Sequence, residues 1–123
     1  VLDRVGKAKI STEYYTVGVS NCLFDLMNEY RSLDPVLSTF DDRKLALYIV
    51  NRAIEEQIEI ATDEIKLSRT KDIKLKQTRK ITNHFESVNQ TYKNYGVNIS
   101  SRQYFHRLIL SHIRNRLSEI INV

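Results

Sequence analysis

The chain is 123 residues long, with 41% hydrophobic and 28% charged residues, and its 19 Lys/Arg against 15 Asp/Glu give a formal net charge of +4. That length fits one compact domain and that balance excludes a disordered chain; there is no run of roughly 18 apolar residues to span a membrane, and the basic start lacks the apolar stretch of a secretory signal. A single cysteine, Cys22, excludes an internal disulfide framework and fits the reducing cytoplasm.

Residues 1–12 show neither the strand nor the helix period, carry Arg4, Lys7 and Lys9, and read as a flexible basic arm. The chain starts at Val1 rather than at methionine, which leaves room for residues upstream. From Glu13 to Ser20 the pattern alternates, with Tyr15, Val17 and Val19 on one side and Tyr14, Thr16 and Gly18 on the other, which predicts a strand. Ser20 or Asn21 then caps a helix over 21–33 with Leu23, Leu26, Met27, Tyr30 and Leu33 on one face. Asp34-Pro35 breaks that helix, because the residue before proline avoids the helical region. After a loop at 36–40, Asp41 caps a second helix predicted from about Asp42 to Ala61. It buries Leu45, Ile49, Val50, Ala53, Ile54 and Ile58 and sets Arg52 and Glu56 outward, four apart.

Thr62 to Lys71 is polar, contains Lys66, Arg69 and Lys71, and reads as a connector. Asp72 to Thr78 alternates again, Ile73, Leu75 and Gln77 against Lys74 and Lys76. A helix through Tyr95 follows, with Ile81, Phe85, Val88 and Tyr92 inside, and Gly96 ends it. Ser100 caps the last helix, whose apolar stripe is Tyr104, Phe105, Leu108, Ile109, Ile113 and Leu117.

The two halves match each other. A shift of 58 residues lays Val19 on Gln77, Leu23 on Ile81 and Met27 on Phe85; a shift of 59 lays Arg43 on Arg102, Ile49 on Leu108 and Ile54 on Ile113. The chain therefore reads as two diverged copies of a strand-helix-helix unit, 13–61 and 72–123, joined by 62–71. A unit that small seldom buries enough apolar surface alone, so the copies are expected to share one core and to pair their strands. Charge divides unevenly: residues 1–60 hold seven basic against ten acidic side chains, residues 61–123 twelve against five. Such a bias suits a polyanionic partner, nucleic acid before an anionic membrane.

The alternating IKLKQ, the helix with Ile81, Phe85 and Val88 inside, and the following GVNISSRQYFHRLIL resemble the ribbon-helix-helix superfamily of the Arc, MetJ and CopG repressors. Both strands in one chain are similar to the tandem arrangement of the conjugation protein TraY. The resemblance implies a mostly helical fold of two fused ribbon-helix-helix units, β-α-α-β-α-α, forming an intramolecular pseudo-dimer with one antiparallel ribbon. It also implies sequence-specific binding of double-stranded DNA, with the ribbon in the major groove, by a transcriptional repressor or an accessory factor in plasmid transfer.

On that reading Tyr14, Thr16, Gly18, Lys74 and Lys76 face the bases: a two-stranded ribbon fits a groove about 12 Å wide, and alternate side chains then reach base edges. Arg43, Ser100, Ser101, Arg102, Arg79, Lys80 and Lys71 are the expected phosphate contacts, with Ser100, Ser101 and Arg102 at a helix N-terminus where free amides favour anions. Asp41 and Asp42 oppose such a contact in the first half. Catalysis has little support: His84, His106 and His112 lack metal-ligand spacing, Cys22 has no charged neighbour and is expected to pack, and no glycine-rich phosphate loop or paired-carboxylate site occurs. No cofactor or metal is expected. The competing reading is a helical protein-interaction module, adapter or antitoxin-like, whose basic face is incidental; self-association along longer DNA sites is left open.

Overall fold

A computed structural model of the chain describes residues 13–60 and 69–121, so the basic arm and most of the connector lie outside the described residues. In chain order the elements are β1 (Tyr14–Ser20), α1 (Asn21–Arg31), a 3-10 turn (Leu37–Thr39), α2 (Asp42–Glu55), β2 (Arg69–Lys76), α3 (Arg79–Lys93) and α4 (Ser101–Ile121). No described helix is long and apolar enough to cross a membrane.

The strands pair antiparallel, Tyr14 opposite Lys76, Thr16 opposite Lys74 and Gly18 opposite Asp72, with an irregularity between Val19 and Ser20. Alternation decides which side is buried: Val17, Val19, Ile73 and Leu75 are withdrawn from solvent, while Asp72, Lys74 and Lys76 on the other face are exposed. Ser20 Oγ accepts from the Leu23 amide at 3.2 Å, Asp41 Oδ1 from the Lys44 amide at 2.8 Å and Thr78 Oγ1 from the Ile81 amide at 3.3 Å, so α1, α2 and α3 each start on a side-chain cap.

Helix ends follow one geometry at two places. At the end of α2, Gln57 takes a left-handed φ of 54°, with its amide bonded to the Ile54 carbonyl and the Ile58 amide to that of Ala53 at 3.1 Å. After α3, Gly96 has φ 79°, its amide bonds to the Lys93 carbonyl at 2.9 Å and that of Val97 to Tyr92 at 3.0 Å. Both are Schellman turns. The first stops α2 at Glu55, short of the Ala61 expected from the apolar spacing.

Helix α4 is the centre of the molecule. Tyr104, Phe105, His106 and everything from Leu108 to Ile113 are buried, a wider surface than the single stripe read from the sequence, because β1, α1 and α2 all pack on it. Phe105 lies 5.0 Å from the Tyr15 ring and 5.6 Å from Phe85, which seats the underside of the sheet on α3 and α4.

The expectation of two fused ribbon-helix-helix units forming a pseudo-dimer is corrected by this arrangement. Among the described residues there is one two-stranded sheet with four α-helices around one continuous core, so the chain is a single unit rather than two fused ones. The halves also differ in kind. The first has helices of 11 and 14 residues with a 3-10 turn between them; the second has helices of 15 and 21 residues, the last buried on every side from Leu108 to Ile113. The physical cause is that α4 takes the central position, which only one of two matching helices can occupy. Two smaller corrections belong here: β2 begins at Arg69, before the expected Asp72, and Cys22 is exposed rather than packed.

Candidate nucleic-acid interface

The outward face of the ribbon carries Tyr14, Thr16 and Gly18 from β1 and Asp72, Lys74 and Lys76 from β2. Lys74 and Lys76 are exposed, and neither is held by a carboxylate among the described residues. Tyr14 is 44% exposed, with the Arg43 guanidinium 5.8 Å from its ring centroid. Two cations and a phenol thus sit at alternate positions of a two-stranded ribbon, open to solvent.

Gly18 faces the same way but is buried. The Gln77 amide bonds to the Glu13 carbonyl at 3.0 Å. Hydrogen-bonded pairs alternate along an antiparallel ladder, so the peptide groups of Tyr14, Thr16 and Gly18 point to the open edge of β1. The Gly18 carbonyl is met there by His106 Nδ1 at 2.8 Å; a carbonyl only accepts, so His106 carries its proton on Nδ1. This bond fixes α4 against the strand edge, and one turn earlier on α4 the Arg102 guanidinium is paired with the Asp72 carboxylate.

The expected phosphate contacts divide into two groups. Arg43 and Arg79 are exposed and make no ion pair with a described residue, and Ser100 and Ser101 stand at the N-terminus of α4. The remaining cations are already matched inside the molecule: Lys71 with Asp42 at 3.4 Å, Lys80 with Glu55 at 2.7 Å and Arg102 with Asp72. Asp42 also takes Arg31 at 2.6 Å, so one carboxylate at the start of α2 gathers cations from α1 and β2. Sequence reasoning gave no role to Asp72, although its place in the alternation with Lys74 and Lys76 already set it on the outward face. The linkage of Asp42 to Arg31 and Lys71 joins residues 11 and 29 positions apart, and no local pattern signals it.

Away from the ribbon, a groove of about 620 Å³ is lined by Ile54, Ile58, His84, Val88, Tyr92 and Tyr104. His84 Nε2 lies 2.6 Å from the Tyr104 hydroxyl at its wall. Burial pushes the Tyr104 phenol up to about 12 and lowers the His84 imidazole, so both are neutral near pH 7 and the contact is an ordinary hydrogen bond. No family model matches this chain, and no curated protein and no solved structure matches it.

Proposed function

We propose that this protein binds double-stranded DNA by laying the β1/β2 ribbon in the major groove, as a repressor or as an accessory factor in DNA processing such as plasmid transfer. The observation that carries this reading is the outward ribbon face, where Lys74 and Lys76 stand exposed and unmatched by described carboxylates beside Thr16 and Tyr14. Lysine ammonium groups donate to the O6 and N7 acceptors of guanine, and a threonine hydroxyl or methyl suits several base edges. Arg43, Arg79 and the N-terminus of α4 with Ser100 and Ser101 flank the ribbon, where phosphates would run on either side of a groove. Because Tyr14, Thr16 and Gly18 oppose Lys76, Lys74 and Asp72, the two strands present different groups, and the preferred site lacks two-fold symmetry.

Electrophoretic mobility shift with a pool of random duplexes, at low and at moderate salt, tests the reading. Binding at low salt that weakens steeply as salt rises is the expected result. Replacing Lys74 and Lys76 together with alanine relaxes discrimination at the base pairs those two side chains face while leaving the circular dichroism spectrum unchanged. A wild-type protein that shifts no duplex at low salt is instead an interaction module of the adapter or antitoxin-like kind.

A further inference from the structure

The pairing of Arg102 with Asp72 is placed where a surface staple has no need to be. Asp72 occupies the outward face of the ribbon, in line with Lys74 and Lys76. Helix α4 packs on the β1 side of the sheet and is fastened to the outer edge of β1 by His106. To reach Asp72 on β2, the Arg102 side chain has to pass over β1, and the residue opposite Asp72 is Gly18, the one position of that face without a side chain. Gly18 is buried although it faces outward, as expected of a backbone with a guanidinium stem lying across it. Arg43 repeats the relation from the other side. Each arginine is the second residue of its helix, and Arg43 reaches the Tyr14 ring on the same outward face.

Resting on the DNA-binding reading above, we infer that Arg102 is a base-reading side chain, held by Asp72 in the plane needed to grip a guanine, rather than a phosphate contact. Three features favour this. A lone carboxylate on a face that enters a polyanion opposes binding, and its cost is removed when a guanidinium neutralises it and carries the pair toward the bases. A guanidinium held through Nη2 by a carboxylate has its fork pre-oriented, which is the condition for bidentate donation to guanine O6 and N7. No described acceptor meets Arg102 Nη1, so the guanidinium keeps a donor that the protein does not use.

The alternative is that the pair only ties α4 to the sheet, or that Arg102 touches phosphate. Selection from a randomised duplex pool, followed by competition binding of the selected duplex and its single-base-pair variants, separates these. Wild-type protein is compared with Asp72→Asn and Arg102→Lys, which keep size or charge but lose the held fork. The expected outcome is a selected site containing one G·C pair whose replacement weakens wild-type binding about tenfold or more. Both variants reduce that penalty to within about twofold, and Lys74→Ala with Lys76→Ala leaves it in place. The inference is overturned if both variants keep the full penalty. It is equally overturned if Arg102→Lys and Arg102→Ala weaken every duplex evenly, the alanine variant with a salt slope smaller by about one, since that is the signature of a phosphate contact. A wild-type protein that binds no duplex removes the DNA-binding reading itself, which distinguishes that failure from the others.

Discussion

At the scale of single residues, the two left-handed positions show how similar backbones are made by unlike side chains. Gly96 adopts φ 79° at no steric cost, whereas Gln57 holds φ 54° with a Cβ pressed toward its own carbonyl. Replacing Gln57 with glycine is expected to stabilise the fold by about 1 kcal/mol, read as a higher midpoint in urea with an unchanged slope. Gly96→Ala should lower stability by a similar amount even though a Cβ there meets no atom within 4 Å, because the cost is torsional rather than a clash. If the two substitutions moved the midpoint in the same direction, strain at these turns would not explain either. The end of α2 at Gln57 was not legible in the sequence, since nothing about glutamine announces a left-handed turn. The stop at Gly96 was, because glycine in that place is a chemical signal.

Among whole elements, the same contrast between local and distant causes decides what could be read. The alternation of Tyr15, Val17 and Val19 and of Ile73 and Leu75 locates both strands and their buried face, and the caps Ser20 and Asp41 locate two helix starts, since these effects act within a few residues. Burial of α4 on every side from Leu108 to Ile113 depends on three elements arriving around it, so a single apolar stripe under-reads it and leaves His106 and Ser111 unexplained, while His112, opposite Ala53 in the repeat, reads as a satisfied, semi-buried residue. Ion pairing around the ribbon was hidden for the same reason. Burial raises the Asp42 carboxyl, but hydrogen bonds from Arg31 and Lys71 outweigh it and hold the group below the usual carboxylate range. With side-chain exposures of 20% to 56% across this trio, its net worth to stability is on the order of 1 kcal/mol or less. Its larger effect belongs to the DNA reading, because Asp42 neutralises Lys71 and sets a negative charge at the first turn of α2. Asp42→Asn is therefore expected to tighten binding to random duplex severalfold and to steepen the salt dependence by about one phosphate, measured by fluorescence anisotropy across a salt series. Unchanged binding would place the start of α2 away from the nucleic acid.

For the molecule as a whole, the core is built around imidazoles that it keeps neutral, and this sets how stability depends on pH. His106 and His112 are 2% and 1% exposed. Burial lowers the His106 ring below its ordinary 6.5 despite the Gly18 carbonyl, with Arg107 adding to the effect. Burial also lowers His112 against the pull of Glu56, whose Oε1 lies 3.0 Å from Nδ1 but off the line of its N–H bond, while Arg116 and Arg52 oppose protonation. Tyr30, pushed up to about 12 chiefly by burial, stays protonated and donates to His112 Nε2 at 2.9 Å, which completes a neutral pair inside the core. In the unfolded chain these rings take up protons near pH 6.5, and in the folded chain they do so only at lower pH. Below pH 6.5 the unfolded state therefore binds more protons, and stability, full above that value, falls as the pH drops toward the folded pKa values. Each ring contributes a slope of at most about 1.4 kcal/mol per pH unit. Asp42 acts in a second, more acidic window: its depressed carboxyl adds stability above its ordinary 3.8 that is lost as the pH falls through the lowered value. Urea unfolding at pH 8, 7, 6 and 5 should show a plateau followed by a decline that starts near pH 6.5. His106→Asn, which keeps a donor close to the Nδ1 position but cannot titrate, should make that decline shallower. A midpoint equally high at pH 7 and pH 5 in the wild-type protein would mean that the folded core accepts charged imidazoles, and the neutral pairing of His112 with Tyr30 would have to be abandoned.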